Sequence, residues 1–92
     1  MITAFVLIKA VADRIADLGP QLAAIDGVAE AHSIAGHVDL VAIVRVPTHE
    51  AVAEVVTQRI SRLPGVSSTE TLIAFRNYSP ADDAAAFEGF DG

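Results

Sequence analysis

The sequence predicts an α+β fold built from two similar strand–helix–turn–strand units. Residues 25–28 and 63–66 share the order apolar residue, turn residue, Gly and Val, and their glycines are 38 positions apart. The apolar run at 4–8 falls on a second apolar run, 42–46, after the same shift. We therefore expect a ferredoxin-like βαββαβ domain, with a four-stranded antiparallel sheet in the order 4-1-3-2 and both helices on one face.

The first unit begins with a strand predicted at residues 2–10, a continuous apolar run with β-branched and aromatic members that suits a central position. A helix should follow, because apolar residues recur at helical spacing: Val11, Ile15, Leu18, Leu22 and Ile25. Pro20 lies inside that stripe and lacks a backbone donor. Either the helix kinks there, or a loose first turn ends and a better helix begins at Pro20.

The second unit is joined to the first by a predicted hairpin. Strand 2 is expected at 28–35, and Gly36 is expected to supply the positive φ of a tight connection to strand 3 at Leu40. Thr48 suits the N-cap of the second helix, and the last strand is expected at 66–76. The second helix has its own apolar stripe, formed by Val52, Val55, Val56, Ile60 and Leu63.

The composition predicts association between copies of the chain. Of the 92 residues, 52% are hydrophobic, and a domain this small has too much surface to hide them all. We therefore expect a homo-oligomer. We place the folded domain at 1–78 and an acidic, flexible C-terminal arm at 79–92, where four acidic residues lie: Asp82, Asp83, Glu88 and Asp91.

Charge and composition disfavour several classes of function. The net charge is −6 and the six Lys and Arg residues are scattered, so we expect no direct nucleic-acid binding. No apolar run is long enough to cross a membrane, and no basic segment precedes the first one as in a secretory signal. The chain has no cysteine, and hence no thiol nucleophile or disulfide. We expect the protein to be located in the cytoplasm. We also expect it to bind no metal and no cofactor.

The histidines give little support for catalysis. His32, His37 and His49 fall on a strand, a hairpin and a helix start, and no metal-binding spacing links them. No nucleophile elbow and no glycine-rich phosphate loop is present in the sequence. We therefore expect no enzymatic activity.

Two clusters could still bind a small molecule. The first is the segment 36–39, where Asp39 could either hydrogen-bond a backbone amide or pair with a ligand's ammonium group. The second is a row of hydroxyls, Ser67, Thr69 and Thr71, expected on one face of strand 4. Ordinary strand propensity would also explain this row. A carboxylate near hydroxyls and free backbone amides suits a zwitterion.

Taken together, the motifs resemble the effector-binding (RAM) domain of the Lrp/AsnC family. They are Gly27-Val28 with Glu30, Gly36-x-x-Asp39, and 63–66 followed by Thr69-x-Thr71, and the resemblance covers residues 2–77. It implies dimers that pack sheet to sheet, assemble further into rings such as octamers, and bind amino-acid effectors between dimers. The ligand would then contact Gly36, Val38 and Asp39, with Thr69 and Thr71 as polar contacts from strand 4.

The sequence departs from the pattern of typical family members in one respect. Typical members carry an N-terminal helix-turn-helix domain, whereas strand 1 is predicted to start at residue 2 of this sequence. We therefore expect a stand-alone effector domain that acts in transcriptional regulation through assembly with partners, for example full-length Lrp/AsnC-type regulators.

Two alternatives remain open from the sequence. One is a structural assembly module whose interface binds nothing. The other is a dimeric α+β barrel enzyme, which would need His32 to point into a pocket within one subunit.

Overall fold

The computed structural model describes residues 1–80, and their elements alternate as the repeat predicts. β1 is Ile2–Ala10, α1 is Ile15–Ala23, β2 is Val28–Ser33, β3 is Leu40–Val46, α2 is His49–Glu54 and β4 is Val66–Ile73. A 3₁₀ turn at Ala12–Arg14 precedes α1, and a π-helical segment at Val55–Ile60 continues α2 directly. The predicted acidic arm lies largely outside the described residues.

The four strands form one sheet in the order β2-β3-β1-β4, and every neighbouring pair is antiparallel. This is the predicted order seen from the opposite edge, so the ferredoxin-like topology is confirmed. The most apolar strands, β1 and β3, take the centre.

The two faces of the sheet differ in what covers them. On one face, Ala4, Val6 and Ile8 of β1 are completely buried beneath the helices. The helices contribute six residues to this core: Leu18, Leu22, Val52, Val55, Val56 and Ile60. On the opposite face, Phe5 and Leu72 stand opposite one another in the β1–β4 register and remain 38% and 46% exposed. No helix of residues 1–80 covers this second face, which we call the uncovered face.

The repeated Gly-Val phrase forms the same turn twice. Gly27 and Gly65 both have φ of +98°, a conformation that residues with a Cβ rarely adopt. In each turn the following valine donates a backbone hydrogen bond to the residue three positions earlier, at 3.0 Å in the first and 3.2 Å in the second. The internal repeat is therefore a repeat of backbone geometry as well as of sequence.

Helix 1 runs through its proline. The α-helix begins at Ile15 and includes Pro20, so the expectation of a helix starting at Pro20 is wrong. The Pro20 ring is exposed, and a Cβ on Gly19 would meet no heavy atom within 4 Å. The ring thus lies where it does not obstruct packing. Thr48 caps the second helix as predicted, because its Oγ1 accepts a hydrogen bond from Ala51 N at 3.0 Å.

Three details of the strand ends differ from expectation. β2 ends at Ser33 rather than 35, and Gly36 has no positive φ, since residues 34–39 form a longer, bent connection instead of a tight hairpin. β4 ends at Ile73 rather than 76. Just beyond it, Ala74 N donates a backbone hydrogen bond to Thr3 O. Because β1 begins at Ile2, it has almost no further residues with which β4 could pair. Within residues 1–80, no helix is long and apolar enough to span a bilayer.

Candidate functional site

Asp39 lies at the end of the sheet where β1 finishes and β3 begins, which we call the Asp39 end. Its Oδ2 accepts a hydrogen bond from Ala10 N at 2.8 Å, and its own backbone N–H donates to Ile8 O at 2.9 Å. The carboxylate therefore takes the place of a strand carbonyl for the last amide of β1. Of the two roles open from the sequence, the hydrogen bond to a backbone amide is present. Its partner is 29 positions away rather than local.

The rest of the 36–39 segment surrounds this carboxylate. Val38 is 8% exposed and anchors the connection, whereas Gly36 is exposed. A Cβ on Gly36 would approach nothing closer than Ile34 Cγ2, at 4.0 Å. The backbone at Gly36 is therefore open to approach from outside.

The two threonines share one face of β4, as the sequence predicted. Thr69 is paired with Ile8 and Thr71 with Val6, so both lie on the helix-covered side and are half-buried. Ser67 does not extend this row, because the register shifts between Lys9 and Ala10 and leaves Ser67 as the additional residue of a β-bulge.

The structure places Asp39 and Thr69 on opposite sides of the same strand. Ile8 accepts the Asp39 amide on its β3 side and pairs with Thr69 on its β4 side. Two strand spacings separate β3 from β4, or about 10 Å. The Asp39 carboxylate crosses part of that distance, because its Oδ2 reaches Ala10 N on β1, the strand between the two.

His32, the histidine that an enzymatic site would require, lies at the surface of the sheet. His32 Nε2 is 3.2 Å from Glu30 Oε1, and both side chains are about half exposed. Residues 1–80 contain no group of three or more His, Cys, Asp or Glu side chains arranged to hold a metal ion.

The uncovered face carries an apolar surface across three strands. Leu7, Val41 and Ile43 are half-buried beside the exposed Phe5 and Leu72. Where this face meets the start of β1, a cavity of about 230 Å³ lies among residues that include two strongly exposed aromatics, Phe75 and Tyr78. This surface has the character of an interface rather than of a solvated face.

A larger cleft, of about 340 Å³, lies at the end of the sheet opposite Asp39, where β3 ends at Val46; we call this the Arg45 end. Four charged side chains line it, two of each sign: Asp26, Arg45, Glu54 and Arg59. An apolar floor of Val46, Pro47, Ala51 and Val55 completes it. None of these residues was expected from the sequence to form a site.

The π-helical segment explains why the sequence pattern concealed this cleft. Five positions separate Glu54 from Arg59, and in an α-helix such residues point to different sides. In a π-helix the hydrogen bonds join residues five apart, as Ser61 N and Val56 O do at 2.9 Å. Positions five apart are then stacked, so Glu54 and Arg59 reach the same cleft. Only a search for charged residues spaced five apart along this helix would have detected the pair from the sequence.

Two known proteins resemble this chain over most of its length. A protein of Thermus thermophilus, TTHA0845, is 51% identical, with a TM-score of 0.81 over 86% of this chain and 99% of that one. An uncharacterized HTH-type transcriptional regulator of Pyrococcus furiosus is 36% identical over 76 residues, which are 79% of this chain and 51% of that regulator. The chain thus spans about half the length of that relative.

A more distant likeness extends the fold comparison. The transcriptional regulator NMB0573 of Neisseria meningitidis, solved as a complex with L-Met, has a TM-score of 0.76 over 85% of this chain and 52% of that one. At 14% identity it shows a common fold alone. Residues 3–83 match the family described as the Lrp/AsnC ligand binding domain. The βαββαβ topology, the two Gly-Val turns and this match agree, and the chain belongs to the Lrp/AsnC ligand binding domain family.

Proposed function

We propose that this domain is a non-catalytic, cytoplasmic sensor of a small effector, an amino acid, and that it acts in transcriptional regulation through assembly with partners. The observation that carries the proposal is the membership of residues 3–83 in a ligand binding domain family found in transcriptional regulators. With eight acidic and six basic residues in 1–80, the domain offers no basic surface to DNA. Full-length regulators of the same family are the proposed partners.

Homodimerisation through the uncovered face is the first step of the proposed assembly. Phe5, Leu72 and their apolar neighbours would be removed from water by a second copy of the same face. Because Phe5 and Leu72 are 38% and 46% exposed, each would contribute less than half of the roughly 1.5–3 kcal/mol that full burial of such a side chain provides. Assembly of dimers into an octamer is the second step.

The proposed effector site lies at the Asp39 end and is shared between protomers. Its residues are those expected from the sequence: Gly36, Val38, Asp39, Thr69 and Thr71. Asp39 uses Oδ2 for Ala10, and Oδ1 accepts no hydrogen bond from residues 1–80, so it can receive an ammonium proton. Thr69 and Thr71 would contact the ligand from β4, on the other side of β1 from Asp39.

Asp39→Asn separates the structural role of Asp39 from its proposed binding role. The amide oxygen of asparagine can still accept from Ala10 N, but the amide nitrogen then replaces the oxygen that would face the ammonium. We expect Asp39→Asn to weaken effector binding by about tenfold or more, since a hydrogen bond to a charged group is worth about 1.5–3 kcal/mol. Asp13→Asn is the matched control, because Asp13 lies in the turn after β1, is exposed and makes no side-chain hydrogen bond or ion pair within residues 1–80, so it tests the loss of one nearby negative charge.

Native mass spectrometry with each common amino acid, L-methionine included, tests the proposal. An oligomer of dimers that gains an amino-acid mass, and loses it in Asp39→Asn but not in Asp13→Asn, is the expected result. Equal binding of every tested amino acid by both variants would refute the site assignment. An assembly that ignores every amino acid would indicate a structural module instead.

A further inference from the structure

We infer that the cleft at the Arg45 end is a second binding site, distinct from the Asp39 site, for a small zwitterion: an α-amino acid with a short aliphatic side chain. The inference goes beyond the proposed function and does not depend on it. It rests on the charges that line the cleft, on the absence of pairing among them within residues 1–80, and on the rigidity of the elements that carry them.

The charges in the cleft are balanced but unpaired. Asp26 and Glu54 carry negative charge, and Arg45 and Arg59 carry positive charge. Within residues 1–80 the ion pairs are Arg14–Asp17 and Glu30–His32, so none of the four cleft residues has an ionic partner within 4.0 Å. The cleft therefore presents separate cationic and anionic groups to one volume of about 340 Å³.

A free amino acid complements this arrangement group by group. A guanidinium binds a carboxylate through two parallel N–H donors, which suits Arg45 or Arg59. A carboxylate accepts hydrogen bonds from an ammonium, which suits Asp26 or Glu54. The volume lies in the range of small-molecule sites, about 300–1,000 Å³. A ligand with a single charge would contact the groups of one sign only, and the exposed groups of the other sign would stay in water.

The floor of the cleft selects the ligand's side chain. Val46 and Val55 are 6% and 8% exposed, and they close the cleft from the core side, with Ala51 beside them. These short apolar residues leave contact for a few methyl groups and provide no hydrogen-bonding side chain. A short aliphatic side chain, such as that of valine, meets this floor without burying a polar group.

The elements that carry the four charges are held in place by the fold. Gly27 O accepts a hydrogen bond from Arg45 N at 2.9 Å, which joins the turn containing Asp26 to the end of β3. The opposite wall is the capped helix α2 and its π-helical continuation, which brings Glu54 and Arg59 together. π-Helical turns are rare and occur frequently at functional sites. Rigid support of this kind reduces the entropy lost when a ligand binds.

Titration of the ¹⁵N-labelled full chain with L-valine, followed by NMR, tests the inference. Two analogues serve as controls: 3-methylbutanoate, which lacks the ammonium, and isobutylamine, which lacks the carboxylate. We expect L-valine to shift the amide signals of Gly27 and of residues 54–59, and to bind at least about tenfold more tightly than either analogue.

Matched variants locate the binding on α2 and its continuation. Arg59→Gln should weaken valine binding by about tenfold. Arg62 is exposed and lies outside the cleft, so Arg62→Gln should leave valine binding nearly unchanged. Glu54→Gln and Glu50→Gln form the same kind of pair for the ammonium contact. Asp39→Asn should not affect binding at the cleft.

The alternative results overturn the inference. Signals that shift only in residues 36–39 and 69–71 would support the proposed effector site and remove this one. Equal affinity for valine and its single-charge analogues, equal losses in Arg59→Gln and Arg62→Gln, or no shift at all would each show that the cleft binds no zwitterion.

Discussion

The two ends of the sheet use the same backbone turn but different side-chain chemistry. At the Asp39 end, Gly65 O accepts Val11 N at 2.9 Å, and the nearby carboxylate of Asp39 accepts the last amide of β1. At the Arg45 end, Gly27 O accepts Arg45 N at 2.9 Å, while the charged side chains around it remain unpaired within the described residues. At both ends of the sheet the carbonyl of the turn glycine accepts a backbone hydrogen bond. Within the described residues, a charged side chain accepts a backbone hydrogen bond at the Asp39 end only.

The largest difference between the ends should appear when each turn glycine is replaced. In Gly65→Ala the new Cβ would lie 2.6 Å from Arg14 Cβ and 2.7 Å from Arg14 Cγ, atoms close to the backbone that cannot move aside easily. Added to the cost of the positive φ, this should lower the free energy of unfolding by about 3 kcal/mol or more. Urea unfolding at fixed protein concentration measures the change.

Gly27→Ala is the matched substitution at the other end. Its Cβ would lie 3.0 and 3.1 Å from methyl groups of Val46 and Val55, which can give way by a few tenths of an ångström. The expected loss is about 1–2 kcal/mol, mostly from the positive φ. A loss equal to that of Gly65→Ala would contradict the difference in crowding between the two turns.

The next prediction concerns the carboxylate of Asp39, which accepts a hydrogen bond from the backbone of Ala10. Asp39→Ala leaves the amide of Ala10 without its acceptor, and we expect a loss of about 1–3 kcal/mol in unfolding free energy with the fold retained. Urea unfolding of Asp39→Ala and Asp39→Asn beside the parent chain measures it, and Asp39→Asn, which keeps an acceptor oxygen, should lose less. If both variants were as stable as the parent chain, the hydrogen bond from Ala10 would contribute nothing in solution.

The sequence predicted those parts of the molecule that follow from periodicity. Continuous apolar runs located β1 and β3, stripes at a spacing near 3.6 located the helix faces, and the 38-residue repeat supplied the topology. The shared face of Thr69 and Thr71 followed from the alternation of side chains along a strand. These features depend on local sequence, because each side chain's face is decided by its own strand or helix.

Other features depend on contacts between distant segments, and sequence patterns could not reveal them. The partner of Asp39 is a strand amide 29 positions away, and the bulge that removes Ser67 from the hydroxyl row depends on the β1–β4 register. The Arg45-end cleft needs both a π-helical ladder and the turn at Asp26. Each requires knowledge of how two elements meet in space, which a single sequence does not carry.

A smaller effect distinguishes the starts of the two helices. Thr48 caps α2 through the hydrogen bond from Ala51 N, and Thr48→Ala should lower the unfolding free energy, measured in urea, by about 1 kcal/mol. Thr57→Ala is the control, because the Thr57 hydroxyl donates to Ala53 O within the helix and caps no free amide. Comparable losses in both variants would mean that the hydroxyl at position 48 has no special capping role.

The smallest effect should be a gain at the residue that precedes the first helical turn of the first unit. Val11 precedes the 3₁₀ turn in an extended conformation, with φ of −64° and ψ of 133°, and makes no side-chain cap. It is 51% exposed, so Val11→Thr exchanges a methyl group for a hydroxyl without opening the core. A threonine there could accept a hydrogen bond from a free amide of the following turn, as Thr48 does in the second unit.

We expect Val11→Thr to raise the unfolding free energy by roughly 0.5 kcal/mol, less than Thr48→Ala removes, because a 3₁₀ turn presents its amides less favourably than an α-helix. Thermal and urea unfolding of the variant beside the parent chain measure the gain. The double variant Val11→Thr, Thr48→Ala then tests the comparison directly. If the two helices start independently, the two changes should add, and a clear departure from additivity would show that the two units of the repeat are coupled through the shared sheet.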